Sequence, residues 1–326
     1  MVKIALLGAA GQIGTPLSLL CKASGLFDDI SLYDIVHAPG IAVDLMHIDT
    51  HTKVTGHLSS DDGLKKALNG ADIVVVTAGI ARKPGMTRDD LFKTNASIIR
   101  DIFAEIAVTC PTATCCVVTN PVNSTVPVAA ETLNRAGVFD PTRLFGVTTL
   151  DVVRASTFAA HALGGNADPK DFAVPVIGGH SGATIIPLYS QAKPAVDLDE
   201  QTLSAVIHRV QFGGDEIVKS KQGAGSATTC MAYAGFRFVK AILSARNGES
   251  IVEEAYIYLP GVPGGKEIVA ELGVDYFAVK AQLGKAGGAL QALPIGEISA
   301  FEKKLLEVAI QDLKGNIATG VDFMAQ

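Results

Sequence analysis

Val2-Lys3-Ile4-Ala5-Leu6-Leu7-Gly8-Ala9-Ala10-Gly11-Gln12-Ile13-Gly14 is the stretch that decides the fold class. A short apolar run meets a glycine-bearing turn and passes into a helix-forming stretch, here from residue 12 to about residue 23. That order opens a βαβ unit. The spacing is GxxGxxG. Gly8 permits the tight turn out of the strand, Gly11 lets the backbone approach a pyrophosphate, and Gly14 lets the helix pack on the sheet. The helix N-terminus favours the anion. Ordinary strand–helix turns also use glycine, so the triplet is weak alone. A second apolar run, residues 30–33, ends in Asp34, and 34 − 14 places this carboxylate twenty positions beyond the last glycine. There it can accept hydrogen bonds from a ribose 2′-hydroxyl, and it would repel a 2′-phosphate, so NAD is favoured over NADP. The competing reading of Asp34 is a plain strand-end cap. No GxxxxGK[ST] occurs, so a P-loop nucleotidase is not supported.

Outward from this unit the first half alternates. Residues 43–48 read as helix, Val54 as part of a short strand, and residues 72–77 and 114–119 as β-rich runs of the kind buried on both faces. A long helical pattern lies between, at about 90–108. This predicts an α/β protein with a Rossmann-type, doubly wound parallel sheet, its ligands at the carboxyl ends of the strands. After about residue 144 long helical stretches dominate, near 148–163, 199–219, 226–245 and 298–317, with two or three strands around 173–177 and 255–258. The expectation is an NAD-binding domain over 1–145 and a mixed α+β catalytic domain over 146–326, tightly packed together.

Composition sets outer limits. With 27 Lys+Arg against 33 Asp+Glu the net charge is −6, which does not favour nucleic acid or an anionic membrane. A hydrophobic share of 48% against 18% charged describes a large core, not a disordered chain. No apolar run reaches the roughly 20 residues of a membrane span. The cysteines, Cys21, Cys110, Cys115, Cys116 and Cys230, are odd in number with no CxxC spacing. That argues for reduced thiols and against a zinc site, and no metal is expected. The N-terminal apolar run is too short for a signal sequence, and Phe323-Met324-Ala325-Gln326 is no SKL-type address. A soluble intracellular protein is expected, cytoplasmic if the chain is complete and in the mitochondrial matrix if a presequence has been removed.

Three segments place polar residues at strand ends. Residues 79–88 carry Arg82 and Arg88 on a loop with Pro84 and Gly85. It is equally read as a basic surface loop or as a lid that clamps an anion. Asp151 and Arg154 share a helix face at i, i+3, as a surface ion pair would. His180 stands among glycines in Gly178-Gly179-His180-Ser181-Gly182. A lone histidine is more often structural. A nucleophile elbow at Ser181 is disfavoured, because Ala183 stands where GxSxG needs glycine and His208 is the only later histidine.

Taken together, Gly8–Gly14 with Asp34, residues 81–88, Thr119-Asn120-Pro121-Val122-Asn123, residues 148–154 and residues 177–182 resemble the lactate/malate dehydrogenase superfamily. In detail they are similar to its mitochondrial and enterobacterial malate branch. The resemblance covers essentially the whole chain, and the motifs stand in the family's order. It implies reversible, NAD-dependent hydride transfer between L-malate and oxaloacetate. By it, His180 is the proton carrier and Asp151 orients and stabilises its imidazolium. Arg154 forks onto the carboxylate next to C2, Arg88 polarises the carbonyl oxygen, and Arg82 selects the second carboxylate. Asn120 touches both substrate and nicotinamide. Gly8, Ala9, Ala10, Gly11, Gln12, Ile13, Gly14, Asp34, Asn95, Val118, Thr119 and Met231 form the cofactor site. A homodimer is also implied, with the helical faces at 41–45 and 155–160 as candidates; packing on the chain's own sheet is the competing reading of both. Two rivals remain. One is a dehydrogenase of a monocarboxylic, lactate-type 2-hydroxy acid, against which Arg82 would be an unpaired cation in a closed site. The other is a non-catalytic NAD sensor on the same fold.

Overall fold

The structure, a computed structural model, describes residues 1–80 and 88–325, with the backbone alone at 88 and 89. The first half is six parallel strands in the spatial order β3-β2-β1-β4-β5-β6. They are β1 (Lys3–Leu7), β2 (Asp29–Tyr33), β3 (Lys53–His57), β4 (Ile73–Val76), β5 (Thr114–Val117) and β6 (Leu144–Gly146). β4 and β5 are buried along their whole length, which is why they read as unbroken apolar runs rather than alternating ones. The helices between them are α1 (Gly14–Ser24), α2 (Ala38–Leu45), α3 (Gly63–Leu68), α4 (Arg88–Thr109) and α5 (Val122–Arg135). From β1 the chain steps outward to β2 and β3, then returns to β4 on the other side of β1. This reversal opens a crevice at the carboxyl ends of β1 and β4, between Gly8 and residues 77–79.

The second half continues the same sheet in antiparallel fashion. β6 is followed in space by β9 (Ile251–Tyr258), β10 (Tyr276–Leu283), β7 (Val176–Gly178) and β8 (Ile185–Pro187), and β11 (Ala289–Ala292) pairs with β10. Five strands thus replace the two or three expected. β8 and β11 are too short to show periodicity. β10 pairs over its full length with β9, from which α9 (Gly265–Leu272) separates it in the chain.

The flanking helices are α6 (Thr149–Leu163), α7 (Glu200–Ser220), α8 (Thr229–Arg246) and α10 (Ala300–Ala325). α10 runs past residue 317, and its Gly320 is a close-approach position rather than a stop. A Cβ there would lie 2.3 Å from the Ser124 carbonyl oxygen on α5. Of the two faces considered for a symmetry mate, that at 155–160 is largely internal. Ala155, Ala159 and Ala160 are buried, the first two in a cluster with Val174, Val176, Ile185, Ile207 and Val210.

Candidate active site

All the candidate residues with described side chains sit at or beyond the carboxyl ends of β1, β2, β5, β6 and β7, or at the start of a helix facing them, apart from Asn95 within α4. The glycine turn is defined by contact. At Gly8, φ is +89° and a Cβ would come within 2.5 Å of the Ala78 amide nitrogen; at Gly14 it would meet the Gly8 carbonyl oxygen at 2.0 Å. The two glycines therefore press β1, α1 and the end of β4 together, as a cofactor crevice requires. Asp34 ties the turn down: Oδ2 accepts from the Ala10 N–H at 2.8 Å, and Oδ1 from the Ile35 N–H at 2.7 Å. It caps its own strand end, as the competing reading has it, and its carboxylate keeps lone pairs that these two bonds do not use. Ala9 is buried, while Gly11 and Gln12 are exposed at the rim beside the half-buried Ile13.

Thr119 donates its hydroxyl to the Ala78 carbonyl at 2.7 Å and so ties the ends of β4 and β5. Asn95, 2% exposed, accepts from the Ile80 N–H at 2.8 Å. It donates to the Asn120 carbonyl at 2.8 Å and to the Ile80 carbonyl at 3.2 Å. It frames the crevice through backbone atoms. Val118 and Met231 are buried, and the Asn120 side chain is exposed.

Asp151 and His180 are 29 positions apart, yet His180 Nδ1 lies 2.6 Å from Asp151 Oδ2. The sheet register explains this. Gly146, Tyr256, Ala278 and Gly178 form one row across β6, β9, β10 and β7. The first turn of α6 and the loop after β7 close the remaining gap. Asp151 is fully buried and its other oxygen is 3.6 Å from Arg154 Nη1, so a buried carboxylate serves an imidazole and a guanidinium at once. Arg154 Nη2 is buried with no hydrogen-bond partner among the described residues. A buried donor left without a protein acceptor fits an anionic ligand. Among the described residues nothing resembles a nucleophile elbow: His208 lies in α7 with its ring 4.7 Å from that of Phe212.

Asn123, quoted within a motif but given no role, also reaches this loop, accepting from the His180 N–H at 2.8 Å. The only sequence signal was two asparagines three positions apart, flanking a proline after a strand. Arg82 lies outside the described residues, as does the side chain of Arg88. Among the described residues no group of His, Cys, Asp or Glu could hold a metal ion, and no helix is long and apolar enough to cross a membrane.

A dinucleotide crevice facing a buried His–Asp–Arg set defines a nucleotide-dependent oxidoreductase of the 2-hydroxy-acid type. Residues 2–146 match the family model for the lactate/malate dehydrogenase NAD binding domain, and residues 148–324 that for the α/β C-terminal domain. The chain belongs to the lactate/malate dehydrogenase family. It is 51% identical over 324 residues to a mitochondrial malate dehydrogenase of Schizosaccharomyces pombe, covering 99% of this chain and 92% of that one. Among solved structures, malate dehydrogenase from Picrophilus torridus in its apo form matches with a TM-score of 0.86 at 27% identity, covering 99% of this chain and 98% of that one. Malate dehydrogenase from Archaeoglobus fulgidus in complex with NADH matches with a TM-score of 0.79 at 28% identity, covering 98% and 99%.

Proposed function

We propose that this chain is an NAD-dependent L-malate dehydrogenase, interconverting L-malate and oxaloacetate. The observation that carries the reading is the contact of His180 Nδ1 with the buried Asp151, beside the buried Arg154 Nη2, which has no hydrogen-bond partner among the described residues. NAD, when bound, supplies the acceptor for the hydride from C2. The Gly8–Gly14 turn and Asp34 would hold its pyrophosphate and ribose. Asn95, Val118, Thr119, Asn120 and Met231 would surround the rest.

Asp151 holds Nδ1, which leaves His180 Nε2 to take the proton of the 2-hydroxyl during oxidation and return it during reduction. The carboxylate also stabilises the imidazolium formed on the way. Arg154 offers Nη2 to the carboxylate next to C2. Arg88 is assigned to the oxygen on C2 and Arg82 to the distal carboxylate, both from their place in the family pattern. Residues 1–145 would then be the cofactor domain and 146–326 the substrate domain.

A twofold homodimer belongs to the same reading. The exposed Leu19 of α1, with Ile41 and Leu45 of α2 and Ile48 just after it, helps to line a groove of about 760 Å³. A groove with apolar side chains on one wall can seat a symmetry mate. Light scattering that gave a monomer mass at working concentration would remove this part of the proposal. The thiols fit a reducing, soluble compartment, since all five cysteines are free and four are buried.

The deciding experiment follows NADH oxidation with oxaloacetate and with pyruvate side by side. Fast turnover of oxaloacetate with little of pyruvate is expected, and Arg82→Gln should lose most of the former. Preference for pyruvate would establish the lactate-type rival, and no turnover of either would leave the binding-module rival.

A further inference from the structure

We infer that Asn123 is a positioning residue of the proton-transfer step, setting the backbone of the loop that carries His180. The inference rests on the reading of His180 as the proton carrier. An imidazole is held in place only if both its ring and its backbone are anchored. Asp151 anchors the ring. Asn123, 1% exposed in the first turn of α5, anchors the backbone, its Oδ1 accepting from the His180 N–H at 2.8 Å. Its Nδ2 donates to Ser181 Oγ at 2.9 Å, to Asn316 Oδ1 at 3.0 Å and, at 3.2 Å, to Thr184 Oγ1. One amide thus joins the histidine loop to the last helix, α10. Its own carbonyl accepts from the Tyr256 hydroxyl at 3.2 Å, which fixes α5 to the sheet row that brings His180 and Asp151 together.

A second, independent observation comes from the neighbouring glycine. A Cβ at Gly179 would lie 2.5 Å from Thr184 Oγ1 and 2.7 Å from both Oδ1 and Nδ2 of Asn123. The amide and the Thr184 hydroxyl it donates to together occupy the space that any side chain at 179 would need, so loop and amide fit each other closely. Asn123 also lies three residues after Asn120, where the loop assigned to substrate and nicotinamide enters α5. The geometry therefore makes the cofactor-side loop the seat of the proton carrier, so that hydride and proton positions share one support.

The test compares Asn123→Ala, Asn123→Asp and Gly179→Ala with the parent enzyme. If the parent fails to oxidise NADH with oxaloacetate, the proposed function falls, and this inference with it. With an active parent, Asn123→Ala should lower kcat in both directions by about 10²-fold, as a misplacement of roughly 1 Å would, with NADH affinity within about twofold. The isotope effect on NADH deuterated at the transferred position should rise, because the chemical step becomes limiting. Asn123→Asp keeps an oxygen for the His180 N–H and should recover most of the turnover. Gly179→Ala removes no polar group yet presses on the amide and on the Thr184 hydroxyl bonded to it, and should repeat the Ala phenotype. The inference is overturned if Asn123→Ala keeps kcat within about threefold of the parent, or if NADH affinity falls in step with kcat. Equal impairment of the Asp and Ala variants overturns it too. If Asn123→Ala does not fold, Gly179→Ala decides alone, and parental turnover in it refutes the inference.

Discussion

Replacing Asp151 by Asn tests the charge at the centre of the site while nearly preserving shape. The carboxylate is fully buried, 2.6 Å from His180 Nδ1 and 3.6 Å from Arg154 Nη1. With the charge centres about 4 Å apart and an effective dielectric near 20, its attraction to an imidazolium is about 4 kcal/mol. At about 1.4 kcal/mol per decade, that corresponds to a loss near 10³-fold in any step that requires the charged imidazole. Oxaloacetate reduction starts from that state, and malate oxidation passes into it. Reduction should therefore show the full loss in kcat/KM at neutral pH. Oxidation, whose starting imidazole is already neutral, should lose less in the ground state and mainly in kcat. NADH affinity should stay nearly parental, because the glycine turn and Asp34 are untouched. Stability should also fall, since Arg154 is left without its buried counter-charge. The assay is steady-state NADH absorbance in both directions, with NADH fluorescence titration and a denaturation curve on the same samples. A variant within about tenfold of the parent in both directions would show that the Asp151 charge does not drive the step, against the value worked above.

Asp34→Ser should narrow the preference for NADH over NADPH by weakening the ribose contact and removing the repulsion; equal use of both cofactors by the parent would refute the assignment. Gly14→Ala should cost at least about 3 kcal/mol and abolish NADH binding, because its Cβ would sit 2.0 Å from the Gly8 carbonyl oxygen; a parental urea midpoint with normal NADH titration would contradict this. Glu254 lies 8% exposed on β9, and burial, followed by the neighbouring Glu253 charge, pushes its carboxyl up to about 7 against the pull of Arg237 and Lys280. The folded chain then keeps a proton that the unfolded chain releases at the ordinary carboxylate value, so stability falls as pH rises between the two and the penalty is complete above 7. Glu254→Gln should accordingly stabilise the protein by up to about 3 kcal/mol at pH 8 and hardly at all at pH 5; equal urea midpoint shifts at both pH values would be the contrary result.

The sequence by itself determined the parallel half of the fold. Each βα unit there is local: an apolar run, a turn with glycine where the backbones touch, a helix, and at Asp34 a carboxylate at the next strand end. The chemistry of these residues is carried by their immediate neighbours in the chain, so spacing alone exposes it. The four long helices of the second half were legible too, although α10 runs through Gly320; the short helices α3 and α9 were not, and in the first half α5 hides behind Pro121 and Pro127. Gly320 serves the contact with α5 rather than a helix end. The face at 155–160 read as available to a partner because its small residues carry no mark of what covers them.

Only the tertiary structure decided the rest. β9 and β7 are joined to the sheet by register with segments far away in the chain, Tyr256 with Gly146 and Gly178 with Ala278, while the short strands β8 and β11 exist only as antiparallel partners of β7 and β10. Along the sequence, the Asp151–Arg154 pair looks like a surface ion pair and His180 like an isolated histidine. They become one site because the row from Gly146 to Gly178 fixes where two loops meet. The part played by Asn123 was invisible for the same reason: its amide acts on the His180 backbone, 57 positions away, and on Asn316, 193 positions away. Local chemistry is written in spacing, whereas the burial of Asp151 and the meeting of distant loops follow from hydrogen-bond register and packing that exist only once the whole sheet has formed.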